Sequence, residues 1–213
     1  MKDHTYPIAE TFYSLKGEGK WTGTPMFFIR FAGCNLSCTF CDTNFTKTRE
    51  VSLSKLVEQA RESEARHVVL TGGEPFLYPI TNLAVALTEI NKRVHVETNG
   101  TQEIYNVGTT WITTSPKSPI STLSSSIQLA DEVKFLCGFE GWETYLQEVI
   151  SKFRLSPRRQ RFCLMPLAKS YEERALFAWD NLIRENIDKA VAYCLDHPEF
   201  SLCMQMHKIC NIK

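Results

Sequence analysis

Phe27-Phe28-Ile29-Arg30-Phe31-Ala32-Gly33-Cys34-Asn35-Leu36-Ser37-Cys38-Thr39-Phe40-Cys41 runs from an aromatic, β-branched segment straight into three cysteines. Its first five residues have the composition of a short strand. The cysteines follow at C-x3-C-x2-C spacing, with no fourth nearby. Three neighbouring thiolates suit a soft metal, either zinc or an iron–sulfur cluster. A [4Fe–4S] cluster ordinarily takes four protein thiolates, so three would leave one iron open to a substrate or cofactor. A structural zinc site is the alternative, closed by remote ligands such as His207 and Cys210. Asp42 and Thr43 come next and offer hard oxygens of the kind Mg2+ accepts.

The same arrangement, a strand ending in unusual residues, recurs along the chain. Residues 67–70 predict a strand that ends in Thr71-Gly72-Gly73-Glu74-Pro75. Residues 94–98 predict another, ending in Asn99-Gly100, and residues 111–114 a third, ending in Ser115-Pro116-Lys117. Further strands are expected at 132–136, 162–167 and 202–206. Helical spacing of apolar residues predicts helices at 51–62 with Ser52 as N-cap, 80–90, 145–153, and about 173–195. Residues 118–126, rich in Ser and Thr, are expected as a surface loop. Alternating strands and helices argue for a parallel sheet with crossover helices. In a parallel β/α barrel the strand C-terminal ends meet on one face, where the chemistry sits. The four turns would then surround one pocket.

Each turn brings suitable chemistry. Paired Gly72 and Gly73 let the backbone approach a ligand, and Pro75 stiffens the exit. Ser115 and Lys117 supply a hydroxyl and an ammonium that suit ribose or carboxylate groups. Arg30, at the end of the first strand, suits a carboxylate clamp or a surface ion pair. Among the histidines, His207 is the functional candidate. His4 and His197 are expected at the surface, and His67 and His95 within the framework.

Composition sets the outer limits. The chain has 213 residues, is 43% hydrophobic and carries zero formal net charge. Those numbers fit a single domain spanning 1–213, with no basic field for nucleic acid. The one basic group, Arg158-Arg159-x-Arg161, is expected as a solvated loop. No apolar run approaches the roughly 18 residues that span a bilayer. The polar start Met1-Lys2-Asp3-His4 and eight cysteines point to a reducing compartment, the cytoplasm. The scattered Cys137, Cys163, Cys194, Cys203 and Cys210 are expected as small buried hydrophobes.

Cys34-x3-Cys38-x2-Cys41 together with Thr71-Gly72-Gly73-Glu74-Pro75 resembles the radical S-adenosylmethionine (SAM) superfamily. Leu15-Lys16-Gly17-Glu18-Gly19, Cys41-Asp42-Thr43, Glu97-Thr98-Asn99-Gly100-Thr101, Ser115-Pro116-Lys117 and Gln205-Met206-His207-Lys208 narrow the resemblance to the 7-carboxy-7-deazaguanine synthases of queuosine biosynthesis. The resemblance implies a shortened, partial β/α barrel and a homodimer. It implies conversion of 6-carboxy-5,6,7,8-tetrahydropterin to 7-carboxy-7-deazaguanine, with ring contraction and loss of ammonia. By the same resemblance Cys34, Cys38 and Cys41 hold a [4Fe–4S] cluster, and Thr43 ligates Mg2+. Phe40, Asp42, Gly72, Gly73, Glu74, Ser115, Pro116 and Lys117 line the SAM site. Leu15, Lys16, Gly17, Arg30, Thr71, His207 and the terminal Lys213 contact the pterin. A flavodoxin-type protein is the implied electron donor, with no direct nucleic-acid or membrane partner.

The chain departs from the usual family residues at Lys16, Met165, Ser201 and Met206, all in segments expected near the substrate or the later strands. Two other readings stand beside this one. The first is a radical SAM enzyme acting on a different substrate. The second is a zinc-stabilised module without catalysis.

Overall fold

The structure is a computed structural model that describes residues 3–43, 48–104, 108, 111–168 and 183–212. Its strands are β1 (Thr5–Leu15), β2 (Pro25–Phe31), β3 (Arg49–Ser52), β4 (His67–Gly72), β5 (Arg93–Thr98), β6 (Trp111–Thr114), β7 (Glu132–Cys137), β8 (Arg161–Pro166) and β9 (Phe200–Leu202). Among the described residues they form one nine-stranded sheet in the order β3-β1-β2-β4-β5-β6-β7-β8-β9. From β2 to β9 all neighbours are parallel, while β1 runs antiparallel to both β2 and β3. The sheet does not close, so the expected partial barrel is what forms.

Period-two patterning explains the two faces. In β4 and β5, Val68, Leu70, Val94 and Val96 join an outer core with Leu56, Ala60, Leu83 and Leu87 of α1 (Leu53–Glu62) and α2 (Thr81–Glu89). In β7 and β8, Val133, Phe135, Phe162 and Leu164 pack a second outer core. It is completed by α3 (Ser124–Gln128), α4 (Trp142–Phe153) and α5 (Arg184–Asp196). The alternate residues, among them Val69, Thr71, Glu97, Lys134 and Met165, face the interior. Along α4 the buried Trp142, Leu146, Val149 and Phe153 keep helical spacing.

The loop after β1 fills the open side of the barrel. Its base is pinned by Lys16 N–H to the Thr24 carbonyl and Gly23 N–H to the Lys16 carbonyl, both 2.8 Å. Its tip crosses to the far strands. Gly19 N–H points at Cys203 Sγ (3.1 Å), and Lys20 N–H donates to Glu132 Oε2 (2.9 Å). Within it, Trp21 packs on His67, His95 and Trp111 at 5.2–5.9 Å between ring centroids.

Several boundaries differ from the sequence expectation. Val51 lies in β3, paired with Tyr6, and α1 starts only after the Ser52 hydroxyl accepts the Lys55 N–H. The strand expected at 202–206 is β9 at Phe200–Leu202; the chain then leaves the sheet, because Met206 N–H bonds the Gly17 carbonyl (2.9 Å) and opens α6 (Met206–Ile209). The expected loop 118–126 ends in α3, whose Ile127 is drawn into the core. The N-terminal part of the helix expected from 173 lies outside the described residues. Of the scattered cysteines, Cys137, Cys163 and Cys203 are buried, but Cys194 is half-buried and Cys210 exposed. Arg158 and Arg159 are exposed, as a solvated loop requires, but Arg161 opens β8 and pairs with Glu132 Oε2 at 3.3 Å. Among the described residues no helix is long and apolar enough to cross a membrane.

Candidate active site

Register alone brings the turns together. Pairing of β2 with β4 sets Arg30 beside Thr71 and Phe31 beside Gly72. Pairing of β5 with β6 sets Thr98 beside Thr114, and Ser115 N–H then bonds the Thr98 carbonyl (2.8 Å). The result is a cavity of about 390 Å3 at the strand C-terminal ends, within the range of roughly 300–1,000 Å3 common for small-molecule sites. Sixteen of the residues expected at the site line it: Leu15, Lys16, Gly17, Arg30, Cys34, Cys38, Phe40, Cys41, Asp42, Thr43, Thr71, Gly72, Gly73, Ser115, Lys117 and His207. Glu74 and Pro116 stand behind its wall. Glu74 is fully buried, and the Pro116 carbonyl accepts the Tyr145 hydroxyl. Lys213 lies outside the described residues.

The three thiols are free and half-buried, on a loop where Cys41 N–H bonds the Cys38 carbonyl (3.1 Å) and Leu36 N–H points at Cys34 Sγ (3.4 Å). Burial raises the Cys38 thiol, and the nearby Lys117 ammonium opposes that rise. Gly73 abuts this loop so closely that a Cβ there would overlap the Gly33 carbonyl oxygen and come within 2.9 Å of Cys34 Cβ. Three soft donors on one loop, with a bare backbone against them, fit a cluster with an open iron. The remote zinc ligands proposed from sequence are not gathered: His207 lines the cavity, but Cys210 is exposed and does not.

The floor of the cavity is a chain of buried charges. Lys16 Nζ lies 2.7 Å from Glu97 Oε1. Lys134 Nζ lies 3.1 Å from Glu97 Oε2 and also bonds Glu18. Gln205 Nε2 donates to Glu18 Oε1 and Asp42 Oδ2, both at 2.9 Å, and Lys208 Nζ reaches Asp42 Oδ2 at 2.7 Å. Burial works against ionisation of Glu97, Glu18 and Asp42, yet the adjacent lysines hold all three below the ordinary carboxyl value. Lys134 goes the other way: burial disfavours its charge, but Glu18 and Glu97 hold it well above the ordinary lysine value. Each buried charge thus has a partner, as burial demands.

Lys117 sits differently. Its ammonium donates to the Ser115 hydroxyl (2.8 Å), which in turn donates to the Lys134 carbonyl (3.0 Å). Burial and Lys134 lower its proton affinity. Arg30 Nε pairs with Glu10 Oε1 at 2.9 Å, so the ion-pair reading holds, and the side chain still lines the cavity. Thr43 donates to Asp42 Oδ1 at 3.3 Å. His207 lies so close to Gly17 that a Cβ there would overlap its ring, which explains a glycine at that position. Burial lowers the His207 pKa against the pull of Glu18 and Asp42.

Sequence reasoning did not single out Glu18, Glu97, Lys134, Gln205 or Lys208 as site residues. A signal for two of them was present: Glu97 and His95 alternate with Val96, and Lys134 and Glu132 with Val133, and this period of two marks a polar face.

Comparison with known proteins agrees with this geometry. The family profile described as "Radical SAM superfamily" matches residues 28–147. The 7-carboxy-7-deazaguanine synthase of Bacteroides thetaiotaomicron is 35% identical over 206 residues, covering 97% of this chain and 98% of that one. The Escherichia coli K12 protein of the same name is 31% identical, covering 97% and 99%. The crystal structure of QueE from Escherichia coli superposes with a TM-score of 0.79 at 27% identity, covering 95% of each chain. The chain belongs to the 7-carboxy-7-deazaguanine synthase family of the radical SAM superfamily.

Proposed function

We propose that this chain converts 6-carboxy-5,6,7,8-tetrahydropterin to 7-carboxy-7-deazaguanine, contracting a ring with loss of ammonia. The carrying observation is that three thiols and a chain of paired lysines and carboxylates line one small cavity. We assign Cys34, Cys38 and Cys41 to a [4Fe–4S] cluster, and Phe40, Asp42, Gly72, Gly73 and Ser115–Lys117 to SAM. Thr43 is assigned to Mg2+, beside an Asp42 kept ionised. Leu15, Lys16, Gly17, Arg30, Thr71, His207 and Lys213 are assigned to the pterin. The cluster and SAM, when bound, supply a 5′-deoxyadenosyl radical by one-electron cleavage of SAM.

The chain's own residues bind and orient. Ionised Glu18 and Glu97 are acceptors for the N–H edge of a pterin. Lys16 and Arg30 are donors for its carbonyl and carboxylate. Leu136, Met165 and Leu167 give the far wall an apolar surface that keeps water from a reactive centre. The reading extends to one domain acting as a homodimer in the cytoplasm, with a flavodoxin-type electron donor; family resemblance supports these points.

The test is an anaerobic reaction of cluster-reconstituted protein with SAM, a reductant, Mg2+ and the pterin, followed by mass spectrometry. Formation of 7-carboxy-7-deazaguanine, abolished by Cys38→Ala, is expected. SAM cleavage without pterin consumption would point instead to another substrate.

A further inference from the structure

Glu74 belongs to the turn expected to face SAM, yet its carboxylate points away from the cavity. Oε1 accepts Phe76 N–H (3.0 Å) and the Thr98 hydroxyl (2.8 Å), and Oε2 accepts Asn99 N–H (2.7 Å). Burial raises its pKa, and those same donors oppose the rise. Glu74 therefore ties the turn after β4 to the turn after β5. What it holds in place is Asn99.

The orientation of the Asn99 amide is fixed by its partners. Thr101 N–H, which can only donate, points at Asn99 Oδ1 (2.9 Å), so Nδ2 must face the other way. There Nδ2 meets Asn35 Oδ1 at 3.2 Å and Cys34 Sγ at 3.8 Å. Asn35 Nδ2 donates to Thr101 Oγ1 (2.7 Å), and Thr101 Oγ1 donates back to Asn99 Oδ1 (2.7 Å). The three side chains thus close a ring of hydrogen bonds. One amide hydrogen is taken by Asn35; the other is left for sulfur. Gly73 also abuts Cys34, and Glu74 N–H bonds the Gly33 carbonyl (3.1 Å).

We infer that Asn99, held by Glu74, is a positioning residue that donates an N–H to Cys34 Sγ and raises the reduction potential of the cluster that thiolate would hold. A donor to a ligating sulfur stabilises the more negative, reduced cluster, so its removal makes reduction harder. The inference rests on the assignment of Cys34 to the cluster. It gives Glu74 a framework role in place of SAM contact.

The test is an anaerobic redox titration of the reconstituted cluster, followed by electron paramagnetic resonance in the absence of SAM and substrate. Asn99→Asp keeps size and the acceptor for Thr101 but removes the donor. It should weaken reduction by about tenfold, about 59 mV for a one-electron couple, at unchanged iron content. Asn99→Ala should shift the same way. Glu74→Gln sets an N–H against one of three donors and should give a smaller shift in the same direction. Because the carboxylate of Asn99→Asp also disfavours reduction by its charge, the neutral Asn99→Leu, which removes the donor at similar size, decides if Asn99→Ala loads poorly. Equal potentials in wild type and Asn99→Leu at equal iron content would overturn the inference. A wild-type protein that takes up no iron would overturn the cluster assignment beneath it. A normal cluster with no turnover of the pterin would count against the substrate alone.

Discussion

The ammonium of Lys16 lies 2.7 Å from Glu97 Oε1, while Lys134 holds the other oxygen of the same carboxylate at 3.1 Å. The two lysines are not equivalent. Lys134 also neutralises Glu18, so it serves two carboxylates, whereas Lys16 serves one. Lys134→Met should therefore strand Glu18, leave Glu97 with Lys16 alone, and cost about 3–5 kcal/mol of stability, read as a lower urea midpoint at unchanged slope. Lys16→Gln leaves Glu97 its second partner, so the fold should persist.

Lys16→Gln should act on the substrate instead. The amide retains a donor but loses the charge, and the KM for the pterin should rise by about tenfold, the weight of one charge-assisted hydrogen bond. SAM cleavage in the absence of pterin should not change. Steady-state kinetics beside an uncoupled cleavage assay separate the two effects.

His67 Nδ1 and His95 Nε2 share a hydrogen bond of 2.8 Å beneath Trp21. Burial, with His67 and Lys16 adding to it and Glu97 opposing, pushes His95 from 6.5 down to about 4. The unfolded chain then binds a proton that the folded chain refuses. Stability should be level above about pH 6.5 and fall as pH drops toward 4, by about 3 kcal/mol in full for this residue. His67 and His207, both also lowered, add to the same window. Glu18, Glu97 and Asp42 add their loss only below the ordinary carboxyl value. Urea titrations between pH 4.5 and 7 should show a shallower slope for His95→Phe.

Gly17 should tolerate no side chain while His207 stands. A Cβ there overlaps the imidazole, and the Gly17 carbonyl also anchors Met206 N–H at the start of α6. Gly17→Ala should push His207 aside and lower pterin turnover sharply. In a His207→Ala background the same change should cost little more, a non-additivity that a double-mutant cycle measures directly.

Much of this architecture is legible in the sequence because glycine, proline and cysteine punctuate β-branched runs. The turns at Cys34, Gly72, Asn99 and Ser115 declare themselves in that way, and the pocket follows from them. β1 does not declare itself. The pairing slips between Ile8 and Glu10, so alternation that places Tyr6 and Ile8 in the outer core places Phe12 in the interior. For Lys134 the period-two spacing marks a polar face but not where that face points. A charged residue in an apolar strand reads as exposed until its partners are known, and Glu18 and Glu97 come from distant segments. Glu74 shows the converse: its motif suggests a ligand contact, but only coordinates reveal that its oxygens are spent on the Thr98–Asn99 turn.

The central claim is that Cys34, Cys38 and Cys41 together make a redox centre inside this cavity. It is tested most directly by iron, sulfide and zinc analysis of anaerobically reconstituted protein, with the visible absorption spectrum. The account predicts brown protein with about four irons per chain, lost on Cys38→Ala and unchanged on Cys210→Ala, whose thiol is exposed. Colourless protein carrying one zinc, or iron that survives Cys38→Ala and is lost on Cys210→Ala, would contradict it.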